Sequence, residues 1–438
     1  MKIITNLQKT TLLLAAGLFT LVMTGCAILN STLPDTGKAQ VLESNKPRVD
    51  IGNIPPTDLK KLAEGNTSFA LDLYHKLQSN TGNLFYSPYS LSAALAMTYA
   101  GAEGGTAEEM AAVLKFLLPQ EGLHPAFNAL DQKLTDLAEI EIPEGQGDPF
   151  QLNIANAIWG QKDFHFEEDF LDILAENYGA GLRLLDFISK PEDSRVTINQ
   201  WVSDETKEKI QDLIPQGGIT SDTRMVLSNA IYFKATWSKT FMQNRTEEGI
   251  FYGLDGEEIS TQMMKTGTDA SFRYFLGEGY QAVELPYTGN QASMLVIVPD
   301  RGNFEEFENQ LSSNTLNQIL NSLAYSPVAL TFPKFEFESE ISLAQILAEM
   351  GMPTAFSDTA DFSGMIGSKE LFISDVFHKA FVSVDEEGTE AAAATAMEMA
   401  TSAMPESPIE LTVDRPFLFL IWTQETDTIL FIGRVVSP

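Results

Sequence analysis

Apolar positions along the chain change period several times, and each change marks an element. Leu123, Phe127, Leu130, Leu134 and Leu137 stand four, three, four and three residues apart, a stripe that predicts an amphipathic helix. Asn83–Ala102 opens on Ser-Pro and runs through Ala, Leu and Met, predicting a buried helix with Pro88 in its first turn. Strand patterns follow at Gln151–Trp159, Thr223–Phe233, Tyr280–Pro286 and Ala292–Pro299. A helix over Leu343–Met350 is stopped by Gly351 and Pro353, and an apolar strand covers Leu371–Val384. Two near-continuous apolar runs near the C-terminus, Phe417–Trp422 and Ile429–Val436, predict a hairpin of strands buried on both faces. Helices concentrate early and strands late, which gives an α+β domain from 57 to 438 without an evident seam.

The N-terminus differs in kind. Lys2 and Lys9 precede an apolar run from Leu12 to Met23, too short to span a bilayer comfortably and laid out like an export signal over residues 1–25. It ends in Met23-Thr24-Gly25-Cys26, which resembles a bacterial lipobox and implies lipid on Cys26, the chain's single cysteine. The polar stretch 26–56, punctuated by Pro, Gly, Asn and Ser, is expected to be a flexible tether. Export to a cell envelope, lipid-anchored there or extracellular, follows as an expectation.

Composition narrows the partners. With 60 acidic residues against 28 basic, the 438-residue chain has a net charge of −32, which disfavours nucleic acid and any membrane contact beyond the N-terminal lipid. Four histidines and one cysteine leave little material for a metal site, and no cofactor is expected. No nucleophile elbow, zinc-protease helix, phosphate loop or dinucleotide fingerprint occurs, so an enzyme is not expected. The acidic groups Asp385–Glu387 and Glu167–Glu168 read as solvated faces, and His75 and His165 as exposed. His124 sits at a helix start; His378 interrupts an apolar strand and should be buried and hydrogen-bonded.

Residues 388–405 remain. Propensity alone makes the alanine run helical, yet it follows a strong strand and Gly388 and ends in prolines without large core residues. As a latent strand, Thr389, Ala391, Ala393, Thr395, Met397 and Met399 form one uncharged face. Glu390, Ala392, Ala394, Ala396, Glu398 and Ala400 form the other, which carries both charges. An Ala-rich linker is the alternative.

From about Asn66 to Pro438 the chain resembles the serpin family. The resemblance rests on 83–95 (NLFYSPYSLSAAL), 101–106 (GAEGGT), 228–234 (SNAIYFK) with Trp237, 377–380 (FHKA), 384–391 (VDEEGTEA), 414–419 (DRPFLF) and 431–435 (FIGRV). It implies helices around a large central mixed sheet, two smaller sheets and an exposed reactive-centre loop at about 386–410. It also implies a suicide substrate: a serine protease attacks the loop, whose N-terminal side then enters the central sheet. Ser87, Ser90, Asn229 and His378 would be a polar cluster holding that sheet shut, with Trp237 under its opening and Lys334 paired with Glu386 where insertion begins. Gly388, Thr389, Glu390, Ala391, Ala392, Ala393 and Ala394 would be the hinge. Counting from Gly388 puts the cut bond at Ser402–Ala403, Thr401 being next in line; residues inserted before the bond would move it toward Met404. Small neutral residues there imply an elastase-like or subtilisin-like protease as the partner of a monomer. A non-inhibitory binding protein of the same fold, and an envelope lipoprotein with an unrecognised hydrolytic site, are the rival readings.

Overall fold

The computed structural model describes residues 39–50, 54–79, 81–140, 142, 150–389 and 407–438. Cys26, the hinge from Glu390 to Ala394, and the Ser402–Ala403 bond lie outside them. Among the described residues the central sheet has seven strands: β1 (Gln40–Leu42), β2 (Gln151–Gln161), β3 (Leu182–Leu185), β4 (Met225–Thr236), β5 (Phe335–Ser342), β6 (Ile373–Val384) and β7 (Gly388–Thr389). Their order across the sheet is β1-β3-β2-β4-β7-β6-β5, and β4 also pairs directly with β6.

Helices α1 (Pro56–Leu77), α2 (Pro88–Tyr99), α3 (Gly104–Leu114), α4 (Gln120–Ala138) and α5 (Glu168–Tyr178) gather before and around the first strands, while α6 (Pro191–Glu205) packs against β2 and β4. Alternation along β4 divides the core in two. Leu227, Ile231, Phe233 and Ala235 join the main core; Val226 and Ala230 face a smaller cluster with Ile198 and Val202 of α6. Among the described residues the remaining ten strands form one sheet, nine along a single path and Ile409–Thr412 branching from it. The two smaller sheets expected from the family are continuous through Ala324–Pro333, which pairs with Ser271–Gly277 at one end and with Glu258–Lys265 and Ile409–Thr412 at the other. The C-terminal hairpin is Phe417–Thr423 against Thr428–Val435.

Four expectations need correction. The helix expected over Asn83–Ala102 is preceded by a strand, Leu84–Tyr86, paired with Ile432–Arg434. The helix begins only at Pro88, behind an N-cap at Ser87 whose extended φ/ψ of −106°/103° breaks the run. The tether is not free as far as residue 56: β1 pairs with β3, residues 44–49 bind α4 and α5, and α1 starts at Pro56. Its polar composition hid this, because the segment docks by hydrogen bonds and charge rather than apolar burial. His124 is buried inside α4 with Nδ1 2.7 Å from the Tyr178 hydroxyl, and burial lowers its pKa to about 4. His75 is half-buried, its Nε2 lying 2.8 Å from the Leu311 carbonyl.

Candidate functional site

Two groups of side chains lie along the seam where β4 and β6 meet. Lower on the sheet the strands run parallel, with His378 directly opposite Asn229. Both are fully buried, as are Ser87 and Ser90 at the start of α2 beneath them. Asn229 Oδ1 lies 2.5 Å from His378 Nδ1, and Asn229 Nδ2 donates to Ser90 Oγ at 2.6 Å. The Ser87 amide points at His378 Nε2 from 3.4 Å, so the ring proton belongs on Nδ1 and is shared with Asn229. Burial drives the His378 pKa down to about 3, and the ring stays neutral across the physiological range. The four residues named from the sequence do meet, and a fifth completes them. Asn156 of β2, opposite Asn229, accepts from Ser90 Oγ at 3.1 Å and from Asn229 Nδ2, and donates to the Ser90 carbonyl at 3.1 Å. Its signal was in the sequence, an amide in the middle of the Gln151–Trp159 run.

At the upper end the seam is already open. After Val384 the chain turns back on itself, with the Asp385 side chain accepting from the Glu387 and Gly388 amides at 2.8 and 3.1 Å. The returning residues Gly388 and Thr389 form β7, wedged between Ala235–Thr236 of β4 and Val384 of β6. Gly388 is required by close approach, since a Cβ there would lie 2.0 Å from the Ala235 carbonyl oxygen. The first hinge side chain has thus turned inward in the native structure: Thr389 is 1% exposed, with its hydroxyl 2.8 Å from that of Tyr287.

Trp237 supports this turn. Its ring stacks on Tyr287 at 4.6 Å, its indole N–H donates to the Asp385 carbonyl at 3.0 Å, and its amide donates to the Glu387 carbonyl at 2.8 Å. Glu386 is buried, contrary to the solvated face expected for Asp385–Glu387, because two donors receive its carboxylate. Lys334 Nζ lies at 2.5 Å and Thr246 Oγ1 at 2.6 Å. Burial alone would raise the Glu386 pKa, but these two hydrogen bonds outweigh it and hold the carboxyl below its usual range. Beside it, burial and the neighbouring charges of Asp385 and Glu386 raise Glu387. Tyr287 and Thr246 were not legible as site residues, for each comes from a segment remote in sequence.

The assembly is a sheet whose two central strands are parted at one end by the two residues of β7. The family model described as Serpin (serine protease inhibitor) matches residues 64–438. The chain belongs to the serpin family. It is 40% identical to a leukocyte elastase inhibitor of Xenopus laevis over 87% of this chain and all of that one. It is 38% identical to an uncharacterized serpin-like protein of Thermococcus kodakarensis, over 90% of this chain and 92% of the relative. Among solved structures, Serpin48 of the insect Tenebrio molitor superposes with a TM-score of 0.77 at 31% identity, covering 88% of this chain and all of that one. Membership supports protease inhibition as the general activity of this serpin. Among the described residues no cluster suited to a metal ion occurs, and no helix is long and apolar enough to cross a membrane.

Proposed function

We propose that this serpin is a suicide substrate that traps a serine protease covalently by inserting its reactive-centre loop between β4 and β6. The observation that carries the proposal is β7: Gly388 and Thr389 lie between β4 and β6, which supports entry of the following residues there in the same register. Continuing that register one for one sets Ala391 opposite Phe233, Ala393 opposite Ile231, Thr395 opposite Asn229 and His378, and Met399 opposite Met225. The uncharged face from Thr389 to Met399 then turns inward along the whole of β4, with Glu390 and Glu398 outward. Ser402 falls just past the sheet's lower edge, where an attached protease would clear the strands.

In the covalent step the protease serine oxygen attacks the Ser402 carbonyl carbon, the Ser402–Ala403 C–N bond breaks, and the amine of Ala403 leaves with a proton. The acyl ester carries the protease along with the inserting strand, and trapping succeeds when insertion outruns hydrolysis. The small neutral residues around the bond favour an elastase-like or subtilisin-like protease, and the export signal with Cys26 favours a lipid-anchored inhibitor at the cell envelope. The test is a panel of elastase-like, subtilisin-like and trypsin-like proteases incubated with the purified protein and run on a denaturing gel. A covalent complex with either of the first two, its acyl link mapped to Ser402 by mass spectrometry, supports the reading. Clean cleavage by every protease without a complex refutes it.

A further inference from the structure

Residues 40–49 precede the part of the chain that the family model matches, yet they are bound at both ends of their length. At one end β1 pairs antiparallel with β3, Gln40 opposite Leu184 and Leu42 opposite Leu182. At the other, Ser44 Oγ donates to Asp172 of α5 at 2.5 Å, and Lys46 Nζ lies 2.8 Å from Asp172 and 3.3 Å from Glu176. Arg48 donates to Asn128 Oδ1 at 2.8 Å and pairs with Asp131 of α4 at 2.7 Å. The Val49 amide donates to the Glu176 carbonyl at 2.8 Å, and its own carbonyl accepts from Asn128 and Gln132 at 2.8 and 3.0 Å.

The body is shaped to receive this segment. A Cβ on Gly181 would meet Glu43 Cγ at 2.6 Å, the Leu42 carbonyl oxygen at 2.7 Å and Val41 Cγ1 at 3.0 Å, all atoms of the bound segment. The Asn128 side chain is 2% exposed and uses both ends of its amide on the segment, which makes it a built partner rather than an incidental contact.

We infer that residues 40–49 are a strap that restrains expansion of the central sheet, and so set the rate of loop insertion; the inference rests on the trapping mechanism proposed above. A new strand needs β4 and β6 to part by about 4.8 Å. The β6–β5 flank is packed on Leu84–Tyr86 and, through β6, on the helix Ala344–Met350; the β4–β2–β3 flank is packed on α2 and α6 and has the strap at its outer edge. Outward movement of β3 carries β1 with it, while α5 and α4 hold Ser44, Lys46 and Arg48. Only Glu43 separates Leu42, paired with β3, from Ser44, bonded to α5. One residue of chain, about 3.4 Å long at full extension, cannot absorb a strand-width shift. The strap must therefore unlatch from one side as the sheet opens.

The test compares the full chain with Gly181→Val, whose Cβ would press on strap atoms, and with Arg48→Ala, which removes the strap's bonds to Asn128 Oδ1 and Asp131 without adding bulk. Hydrogen exchange at Gln40–Leu42 and Val49 reports release of the strap. Two rates are then read: spontaneous loss of inhibitory capacity on mild heating, and the ratio of covalent complex to cleaved inhibitor. Release should speed spontaneous conversion roughly tenfold, the rate equivalent of losing one charge-assisted hydrogen bond, and raise the complex fraction. Faster exchange in the strap with conversion unchanged or slower overturns the inference while wild-type trapping stands. No complex from the wild-type protein overturns the trapping mechanism and the strap's role with it.

Discussion

Thr389 offers the sharpest test of how insertion begins. Its hydroxyl is the hydrogen-bond partner of the Tyr287 phenol, and both side chains are buried. Thr389→Val keeps the shape and removes the bond, leaving the Tyr287 hydroxyl in apolar surroundings at a cost of about 1–3 kcal/mol. That shift disfavours the docked β7 by roughly 5- to 150-fold, more than the small gain in strand propensity from valine can offset. Because β7 is docked before any protease arrives, the native fold should lose stability as well, and its thermal midpoint should fall. Thr389→Ser keeps the hydroxyl and should behave like the wild type. Thr389→Arg is harsher: a guanidinium cannot be buried beside Tyr287 and Val384 without a partner, so β7 should be expelled and the protein cleaved as a plain substrate. Glu390→Arg lies on the opposite face by register and should still trap. The assay is the ratio of covalent complex to cleaved inhibitor with an elastase-like protease, alongside thermal unfolding of each variant. Valine and serine variants identical to wild type in both would show that the hydrogen bond contributes nothing. Equal ratios for the two arginine variants would refute the face assignment.

Other outcomes follow from single residues. Ser402→Arg should turn inhibition from elastase-like toward trypsin-like proteases; cleavage elsewhere without added complex would show that the bond lies in another register. Mass spectrometry of the exported protein should find its N-terminus at a lipid-modified Cys26, and an unmodified N-terminus further along would refute lipid anchoring. His124 is neutral when folded down to about pH 4 but titrates near 6.5 when unfolded, so its contribution is complete above pH 6.5 and declines below it. Unfolding free energy should fall by about 1.4 kcal/mol per pH unit on this account between those limits. His124→Gln should remove that slope, and an unchanged slope between pH 6.5 and 5 would refute it.

Strands buried on both faces were the most legible elements: Tyr280–Pro286 and Ala292–Pro299 have the bounds that their apolar runs predict. Leu84–Tyr86 was absorbed into the following helix because three buried apolar residues carry no period of their own, and only pairing with the C-terminal strand makes them extended. The polar cluster was half legible. His378 and Asn156 each interrupt an apolar strand, but their linkage through Asn229 depends on a register that no local pattern encodes. The strap was invisible for a different reason. Its docking depends on Gly181 and on acidic groups of α4 and α5, so its own sequence reads as solvated chain.

The seam itself supplies a driving force and one specific obstacle. Where β4 and β6 now pair they are parallel, whereas β7 is antiparallel to both. Each residue inserted below Thr389 replaces one parallel pairing by two antiparallel ones, the more stable ladder per residue. In the proposed insertion the obstacle would be the Asn229–His378 hydrogen bond, which crosses the seam and would have to break as the new strand passes. In the proposed register the residue arriving there would be Thr395. A hydroxyl both donates and accepts, so Thr395 can take the His378 Nδ1 proton's hydrogen bond and give its own to Asn229 Oδ1. Thr395→Val would leave both buried groups unpartnered in the inserted state, at about 1–3 kcal/mol each. The loop-cleaved, inserted form should therefore melt lower than its wild-type counterpart, by more than any shift in the uncleaved protein. Thr395→Ser should restore it. Equal midpoints for the cleaved valine and wild-type forms would mean that a residue other than Thr395 reaches the cluster, and that the register read from β7 does not continue down the sheet.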